Sequence, residues 1–390
     1  MKFVVVTSRF PYPLEKGDKL RVFHQMRHMA AAGHEIVLVA VSDGEVPAAD
    51  MEQLPFCSSI HVVPLGRVPR LVGVGTALWA GRPLQVGYFD SVRVRETVER
   101  VVAEERPDAV FCQLIRTAQY GRDLSVPTTI DYQDTFSAIT WRRSGTAPWP
   151  LRAVMRREAV RIAAYEHASA EWFDHRVIIS EQDRDLLQVP DGLPVEVVTN
   201  GVDTEYFRPG AIDAAPSVDV CFIGNLGYRP NVVASGRLVG EVLPRLRELR
   251  PGTGVLLAGA RPARSVLALA GDGVEVRGWL DDIRTGYAEG RVMVAPLFTG
   301  AGQQNKVLEA MAMGMACVTS DLVNNAIGAT PGVEIETAGD MAEFAARTAE
   351  LLADDDRRAE LGRRAREFVT ANYSWPIVAE RLAGILGRSC

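Results

Sequence analysis

Residues 2–41 read KFVVVTSRFPYPLEKGDKLRVFHQMRHMAAAGHEIVLVAV, and this stretch decides the fold class. Phe3–Val6 is a short apolar run, and a polar loop follows it. Leu20–Ala32 carries apolar side chains at helical spacing, and Gly33 separates it from a second apolar run at Glu35–Val41. The order strand, loop, helix, glycine, strand predicts a βαβ unit with two parallel strands.

The same alternation of short apolar runs and helical segments continues to Val198 and restarts at Asp219. Valine-rich and isoleucine-rich runs without polar alternation are typical of parallel strands buried on both faces. Two such series predict an α/β protein of two doubly wound, Rossmann-like domains with an interdomain cleft. We expect an N-terminal domain at 1–205, a C-terminal domain at 206–372, and a final helix at 373–390 that packs back on the first domain.

The composition of the 390-residue chain excludes several classes of protein. Its 47% hydrophobic and 24% charged residues are ordinary for a globular protein. A net charge of −6 argues against a nucleic-acid partner. Five scattered cysteines without a CxxC pair argue against a disulfide framework and indicate a reducing compartment. Since we find neither a signal-peptide core nor an apolar run long enough to span a membrane, we expect a cytoplasmic protein.

The most specific motif is residues 300–314, GAGQQNKVLEAMAMG, a glycine-rich loop that enters a helix. Gly300 and Gly302 expose backbone N–H groups to phosphate at the start of that helix, and Lys306 adds a positive charge. Glu309 has small and apolar neighbours, and such a carboxylate is costly unless it is paired. A ribose diol would pair with it. We therefore expect a nucleoside diphosphate to be held by Gly302, Gln303, Gln304, Asn305, Lys306 and Glu309.

Two further strand-to-helix loops contribute candidate binding residues. The loop before the first helix contains Gly17, Asp18 and Lys19, and Gly17 allows a close approach of ligand to backbone. The loop after the strand Asp219–Ile223 begins the second domain. It offers Gly224, Asn225 and Arg229, and Arg229 is its only cation.

Candidate residues for a second substrate lie in the first domain. Asp131 and Asp134 follow a strand and can hold hydroxyl groups of this substrate, assist as a base or act as structural caps of the loop. Arg116 also follows a strand and can meet an anionic group of this substrate or a phosphate, or it can be an ordinary surface arginine. The segment 141–161 combines two tryptophans with six arginines, a pattern that fits either a solvated helix face or peripheral contact with the inner face of a membrane.

The whole chain resembles a family 4 glycosyltransferase with the GT-B fold. The segments that carry the resemblance are the strand, loop and helix around Gly17 that run into Gly33–Val37, then Val198–Pro209, and Gln304–Gly314 with the strand after it. Together they span most of the chain. The last segment resembles sugar transferases of exopolysaccharide-type clusters in particular.

The resemblance also shows where this chain departs from the family. The family usually carries two glutamates, of which the second, a ribose ligand, maps onto Glu309. The first, a donor-sugar ligand, should fall at Ala301, and we expect Gln303 or Gln304 to replace it. Many members place an Arg and a Lys for the diphosphate where Asn225 and Asn231 stand here. We therefore expect Arg229 and Lys306 to share the diphosphate charge. In the family, backbone groups near Arg277–Leu280 often bind the nucleotide base. Here the corresponding residues are Gly278 and Trp279.

The resemblance implies a retaining, metal-independent transfer in which the leaving phosphate oxygen helps to deprotonate the acceptor hydroxyl. No cofactor is implied, because the nucleotide-diphosphate sugar is a co-substrate. The acceptor is a glycan, a lipid-linked sugar or a small molecule. Two alternatives stay open, a sugar-nucleotide epimerase of the same fold and a non-catalytic nucleotide-sugar-binding protein. No Asp-x-Asp metal motif sits at a plausible strand end. Instead, we expect Asp282 to cap a helix and Asp354–Asp356 to form a solvated turn.

Overall fold

A computed structural model describes residues 1–145, 147–298 and 303–388. The chain divides into two compact units, one formed by Met1–Gly201 together with Trp375–Cys390 and the other by Val202–Ser374. The divisions lie close to the boundaries at 205 and 372 expected from the sequence. Among the described residues, no helix is both long and apolar enough to cross a membrane.

The first unit contains a parallel sheet, which in the described part of the chain has seven strands in the order β3-β2-β1-β4-β5-β6-β7. The strands are β1 (Lys2–Thr7), β2 (Glu35–Ser42), β3 (Ser59–Pro64), β4 (Ala109–Gln113), β5 (Thr128–Asp131), β6 (His175–Ile178) and β7 (Glu196–Val197). The sheet is buried on both faces, because Val4 and Val6 of β1 belong to one apolar cluster whereas Phe3 and Val5 belong to another. This explains why β1 has no polar alternation.

Helices connect these strands. They are α1 (Gly17–Ala31), α2 (Ala48–Met51), α3 (Arg67–Trp79), α4 (Leu84–Tyr88), α5 (Val92–Glu105), α6 (Ala118–Gly121), α7 (Phe136–Ser144), α8 (Leu151–Ala170) and α9 (Glu181–Leu186). Because β1 lies between β2 and β4, the strand order reverses there. Ligands of open α/β sheets bind beyond the carboxyl ends of the strands at such a reversal. The loops after β1 and β4 are therefore the favoured positions for a site in this unit.

The second unit contains another parallel sheet, with six strands among the described residues in the order β10-β9-β8-β11-β12-β13. They are β8 (Val218–Ile223), β9 (Val255–Ala258), β10 (Val274–Arg277), β11 (Gly290–Ala295), β12 (Ala316–Ser320) and β13 (Glu336–Ala338). Here the order reverses at β8, between β9 and β11. The prediction of doubly wound α/β architecture is confirmed for both units.

The helices of the second unit are α10 (Arg229–Arg237), α11 (Leu243–Leu249), α12 (Arg264–Leu267), α13 (Ile283–Glu289), α14 (Asn305–Ala312), α15 (Asp321–Ile327), α16 (Met341–Ala353) and α17 (Asp355–Tyr373). The pattern at 232–247 predicts one continuous helix, but a π-helical turn at Leu238–Val242 separates α10 from α11. Pro244 stands in the first turn of α11, and it lacks the N–H that would continue the helical hydrogen bonds.

The last helix, α18 (Trp375–Leu386), is part of the first unit. Its Trp375 and Leu382 share an apolar cluster with Phe3 of β1 and Met26 of α1. Gly201 is required at this crossing, since a Cβ there would lie 2.5 Å from the Trp375 ring.

Candidate functional site

Lys306 and Gly224 lie together at the strand-order reversal of the second unit. Gly224 directly follows β8, and a Cβ at this position would lie 3.0 Å from Cε of Lys306 and 3.2 Å from Nδ2 of Asn231. Its φ of 158° is a backbone conformation that L side chains rarely adopt, so both conformation and space favour glycine here. The missing side chain lets the lysine lie along the end of the strand.

The ammonium group of Lys306 has little protein charge around it. Its Nζ donates a hydrogen bond to Oε1 of Gln304 at 2.7 Å, and it belongs to no ion pair among the described residues. Burial lowers the pKa of Lys306 to about 8, while the charge of Glu309 opposes that shift. A half-buried cation at the start of α14 attracts an anion, because the helix N-terminus adds positive potential.

Glu309 lies one turn further along α14, and Tyr287 of α13 holds one of its oxygens. The Tyr287 hydroxyl donates to Oε2 of Glu309 at 2.8 Å and also lies 3.2 Å from the carbonyl oxygen of Lys306. Burial raises the pKa of Glu309, and the tyrosine hydroxyl and the Lys306 charge partly offset this effect. Among the described residues, no donor is assigned to Oε1, so this oxygen can accept hydrogen bonds from a ligand.

Two asparagines shape the loop after β8. Nδ2 of Asn231 donates to the carbonyl oxygen of Asn225 at 2.9 Å, and the N–H of Gly227 donates to Oδ1 of Asn225 at 3.0 Å. The structure therefore gives these asparagines a loop-shaping role. Oδ1 of Asn231 is buried without a partner in the described structure. Arg229 begins α10 with an exposed side chain, and no contact in the described residues joins it to Lys306.

The remaining predicted donor residues are placed as follows. Asn305 is the first residue of α14, and Gln303 and Gln304 immediately precede the helix. The carbonyl oxygen of Gly278 accepts a hydrogen bond from the N–H of Gly259 at 3.1 Å, and Trp279 beside it is exposed. The predicted residue Gly302, with Gly300 and Ala301, lies outside the described residues.

In the first unit, the loops after β1 and β4 are joined around Asp18. Its carboxylate accepts a hydrogen bond from Nη1 of Arg9 at 2.8 Å, and its carbonyl oxygen accepts one from Nε2 of Gln113 at 2.6 Å. Gly17 begins α1, and nothing lies within 4 Å of the position a Cβ would take. Lys19 donates to the carbonyl oxygen of Tyr12 at 3.1 Å, and burial lowers the pKa of Lys19. Gly17, Asp18 and Lys19 thus form the first turn of α1.

Asp131 corrects a prediction, because it is a structural residue of the core and not an accessible catalytic group. Its side chain and that of Arg21 are both fully buried, and Nε of Arg21 donates to Oδ2 of Asp131 at 2.7 Å. Oδ1 accepts from the N–H of Gln133 at 2.8 Å. The other guanidinium nitrogens of Arg21 bind the backbone oxygens of Val198 and Thr199. An acceptor cannot reach a carboxylate enclosed in this way.

Asp134 is more accessible than Asp131, although it lies only three positions further along the same loop. Nε2 of Gln133 lies 3.2 Å from Oδ2 of Asp134, and no guanidinium or ammonium group pairs with Asp134 in the described structure. Burial, and next the charge of Asp183, raise the pKa of Asp134 to about 6. Asp134 is thus the carboxylate of this loop that can bind a hydroxyl group near neutral pH.

Arg116 follows β4 at the strand-order reversal of the first unit. Its guanidinium carbon lies 5.5 Å from the ring centre of Phe89 and 5.3 Å from that of Phe136. Nε donates to Oε1 of Gln85 at 3.2 Å. Burial lowers the pKa of Arg116 to about 10; the charge of Arg9 also lowers it, and that of Asp18 opposes this.

Sequence reasoning missed Tyr287 and Arg21. Both contribute to the sites through contacts with residues far away in sequence, and neither stands in a motif. Asp282 caps α13 with its carboxylate, as expected. Asp354 caps α17, and Asp355 and Asp356 form the first turn of that helix where a solvated turn was expected. Within 1–145, 147–298 and 303–388, no three His, Cys, Asp or Glu side chains are grouped so that they could hold a metal ion.

Two family profiles match the chain. The profile described as "Glycosyl transferase 4-like domain" matches residues 19–201, and the one described as "Glycosyl transferases group 1" matches residues 217–354.

Relatives of known description give partial and full-length matches. A GDP-mannose-dependent alpha-(1-6)-phosphatidylinositol monomannoside mannosyltransferase of Mycobacterium tuberculosis is 30% identical over 220 residues, which is 49% of this chain and 55% of the relative. The match thus spans about half the length of that relative. Glycogen synthase of the same organism is 23% identical over 99% of this chain and 94% of its own length.

Solved structures of similar fold cover nearly the whole chain. Sucrose-phosphate synthase from Thermosynechococcus elongatus superimposes with a TM-score of 0.68 at 18% identity, with 98% of each chain covered. The Anabaena protein HepE in complex with UDP-glucose gives a TM-score of 0.63 at 14% identity, again with 98% of each chain covered. At these identities the likeness concerns the fold.

Proposed function

We propose that this chain, which belongs to the family 4 glycosyltransferases of the GT-B fold, is an enzyme that transfers a sugar from a nucleotide-diphosphate sugar to a hydroxyl acceptor. The observation that supports the proposal most is the arrangement on α14. Lys306 offers a positive charge without a protein carboxylate, and Glu309 offers a carboxylate oxygen without an assigned donor. A nucleoside diphosphate supplies both complements, an anion for the lysine and two ribose hydroxyls for the glutamate.

In this proposal the second unit binds the donor. Oε1 of Glu309 accepts hydrogen bonds from the ribose, while Tyr287 fixes Oε2 and thereby orients the carboxylate. Lys306 and the N-terminus of α14 bind the diphosphate. Arg229 adds a solvent-exposed positive charge at the start of α10. Gln303 and Gln304 lie next to α14, where they can contact the donor sugar in place of the glutamate that Ala301 replaces.

The reaction we propose is retaining and does not require a metal. The bond between the sugar C1 and the diphosphate oxygen breaks, and the acceptor oxygen bonds to C1 on the same face. The acceptor proton passes to the departing phosphate oxygen. The catalytic contribution of Lys306 is to stabilise the charge that develops on the diphosphate, which preorganised donors do without reorganisation. Retention is tested by NMR of the anomeric proton in the product, and metal independence by comparing rates before and after dialysis against EDTA.

The first unit binds the acceptor in this proposal. Asp134 accepts a hydrogen bond from the acceptor hydroxyl and orients it for attack. Its raised pKa of about 6 still leaves the carboxylate ionised at neutral pH. Asp131 takes no part in the chemistry; its pairing with Arg21 fixes the loop on which Asp134 stands.

A panel of nucleotide sugars tests the function. GDP-mannose belongs in the panel because the mycobacterial relative is described as GDP-mannose-dependent, and UDP-glucose because it is bound in the HepE structure. Transfer to an acceptor or slow donor hydrolysis supports the proposal. Isomerisation of the nucleotide sugar without cleavage would identify an epimerase, and binding without turnover would identify a binding protein; either result contradicts the proposal.

We also propose that the first unit lies on the inner surface of a membrane, where a lipid-linked acceptor would be found. On α3 the small residues Gly73 and Ala77 are buried against α4, whereas Leu71 is 73% exposed and Trp79 94% exposed. Helices α7 and α8 and the segment between them add exposed apolar and basic side chains, namely Trp141, Trp149, Val154, Arg142, Arg152, Arg156 and Arg157. Exposed apolar side chains combined with arginines are typical of helices that lie on anionic membranes.

Vesicle sedimentation with a matched pair of variants tests the membrane proposal. Leu71→Ser on α3 removes a leucine that is 73% exposed, and Leu249→Ser on α11 removes one that is 60% exposed in the other unit. We expect the wild type to sediment with phosphatidylglycerol vesicles, Leu71→Ser to bind less, and Leu249→Ser to bind as the wild type does. Equal loss in both variants, or no binding of the wild type, would contradict the proposal.

A further inference from the structure

Arg116 is a charged group that the fold does not neutralise. It stands at the carboxyl end of β4, next to β1 at the strand-order reversal. In the described part of the chain no carboxylate lies within ion-pair distance of it, and only its Nε atom, bound to Gln85, has an assigned acceptor. The two terminal nitrogens, which carry four N–H groups in a planar fork, are free to bind a ligand.

Arg116 and its charged neighbours together hold a net positive charge. Arg9 from the loop after β1 also approaches Phe89, with its guanidinium carbon 6.0 Å from the ring centre, so that Phe89 contacts both arginines. Arg9 pairs with Asp18 at 2.8 Å, and this pair is internally neutral. One charge, that of Arg116, is therefore left without a counter-ion in the described structure.

The cavity that Arg9 lines does not supply a counter-ion for Arg116. It has a volume of about 250 Å³ and extends from Arg9 toward the loop after β2. Its charged lining is balanced, with three basic residues and three acidic ones: Arg9, Lys16, Lys19, Asp43, Glu45 and Asp50. The excess positive charge thus belongs to Arg116 and not to the neighbouring cavity.

We infer that Arg116, assisted by Arg9, binds a phosphate group carried by the acceptor. This inference rests on the proposed transferase function, because it names the class of acceptor for that site. A guanidinium fork matches two phosphate oxygens, and removing its charge from water is costly without an anion. Phe89 and Phe136 lie within cation–π distance of the guanidinium and restrict its orientation.

The position of Arg116 in the first unit favours a phosphate near a membrane surface. Gln85, which holds Nε of Arg116, stands on α4, and Gly87 of the same helix is in close contact with Gly73 of α3. Helix α3 carries the exposed apolar side chains described above. The same phosphate chemistry occurs in soluble sugar phosphates and in lipid headgroups, so the experiment needs one arm for each source.

The experiment measures binding, so that it does not depend on turnover of any donor. In the soluble arm, glucose 6-phosphate and mannose 6-phosphate are titrated by calorimetry against glucose and mannose as neutral controls. In the lipid arm, vesicles that contain phosphatidylinositol are compared with vesicles of phosphatidylcholine alone. The variants are Arg116→Gln and Arg116→Lys, and Lys306→Gln controls for phosphate binding at the donor site.

We expect one arm to show binding at least tenfold tighter than its neutral control. Arg116→Gln should abolish the difference, Arg116→Lys should keep part of it, and Lys306→Gln should keep all of it. Equal binding of charged and neutral probes in both arms, or full phosphate binding by Arg116→Gln, would overturn the inference. If Arg116→Gln does not fold, Arg116→Lys decides, because wild-type phosphate affinity in that variant would show that the guanidinium fork is not used. Failure of the proposed transferase function can be distinguished from failure of this inference. It would appear as an absence of sugar transfer, whatever the phosphate titration gives.

Discussion

The Arg21–Asp131 pair of the first unit and the Lys306 and Glu309 residues of the second unit use charge in opposite ways. Arg21 and Asp131 are fully buried and bind each other at 2.7 Å, and backbone oxygens bind the remaining guanidinium nitrogens. Lys306 and Glu309 are neighbours on α14, but neither belongs to an ion pair in the described structure. Each instead binds a neutral side chain, the Gln304 amide oxygen or the Tyr287 hydroxyl.

The difference separates charges that stabilise the fold from charges that are available to a ligand. A buried ion whose hydrogen bonds are all made within the protein stabilises the loops it joins. It has no donor or acceptor left for a ligand. A partly buried ion without a counter-ion is costly, and perturbed groups of this kind are characteristic of functional sites. The pKa of Lys306 is lowered and that of Glu309 raised, as incomplete compensation requires. Changes to the two pairs should therefore alter different properties.

The largest effect is expected on stability, from Asp131→Ala. This variant leaves the buried Arg21 without its partner, and breaking a buried pair costs about 3–5 kcal/mol of unfolding free energy. Urea unfolding followed by circular dichroism measures the change. The double variant Arg21→Met with Asp131→Leu should recover most of the loss. A single variant that is as stable as the wild type would show that the pair does not support the first unit.

Glu309→Gln should change ligand affinity while leaving stability intact. Loss of a hydrogen bond to a charged acceptor costs about 1.5–3 kcal/mol, which is roughly a 10- to 100-fold weaker affinity for a nucleoside diphosphate. The free energy of unfolding should stay equal or rise, because burial already disfavours the ionised form of Glu309. Calorimetric titration tests this, with Glu360→Gln on the exposed face of α17 as the control. Unchanged affinity in Glu309→Gln would remove the ribose role.

Asp134→Asn should lower the rate of transfer by about 10- to 100-fold, since the amide cannot accept the acceptor hydroxyl as a charged partner does. The wild-type rate should fall as the pH drops through about 6, the pKa to which burial raises Asp134. Because this pKa is raised above that of the unfolded chain, the group favours folding most at low pH, and its contribution is lost as the pH rises through about 6. A pH–rate profile that Asp134→Asn does not change would contradict the role.

The smallest expected effect is a pH dependence of nucleoside diphosphate binding, which arises from Lys306. Burial lowers the pKa of Lys306 to about 8, so the free protein loses this charge above that pH. Nucleoside diphosphate affinity should then decrease by at most about tenfold per pH unit above pH 8. Lys306→Arg should bind without this decrease, because arginine stays protonated. Folding stability should change in the other direction, with a rise between about pH 8 and 10.5 as the unfolded chain keeps the proton that the folded one releases.

Secondary-structure elements that have a clear local pattern of apolar residues could be predicted from the sequence. Unbroken apolar runs such as Phe3–Val6 predicted buried parallel strands, and the structure has β1 at Lys2–Thr7. The strand at Ser59–Pro64 was missed because its serine, histidine and proline interrupt the apolar pattern. Pro244 is a local signal for a break in the helix predicted at 232–247. The helical periodicity of the apolar residues there concealed that signal.

Pairings between distant residues could not be predicted in the same way. Glu309 was identified as a candidate because a carboxylate among small apolar neighbours is costly, but nothing in the local sequence assigns Tyr287 to it. Asp131 and Asp134 look equivalent in sequence. Only the sheet, which brings Arg21 and Val198 next to Asp131, distinguishes the buried carboxylate from the accessible one.

The central claim is that the uncompensated charges of α14 bind a nucleoside diphosphate, and a crystal structure with GDP or UDP tests it most directly. We predict the ribose hydroxyls within hydrogen-bond distance of Oε1 of Glu309 and the diphosphate beside Nζ of Lys306 and the start of α14. Tyr287 should keep its bond to Oε2. A nucleotide bound elsewhere on the second unit, with Glu309 and Lys306 untouched, would contradict the account.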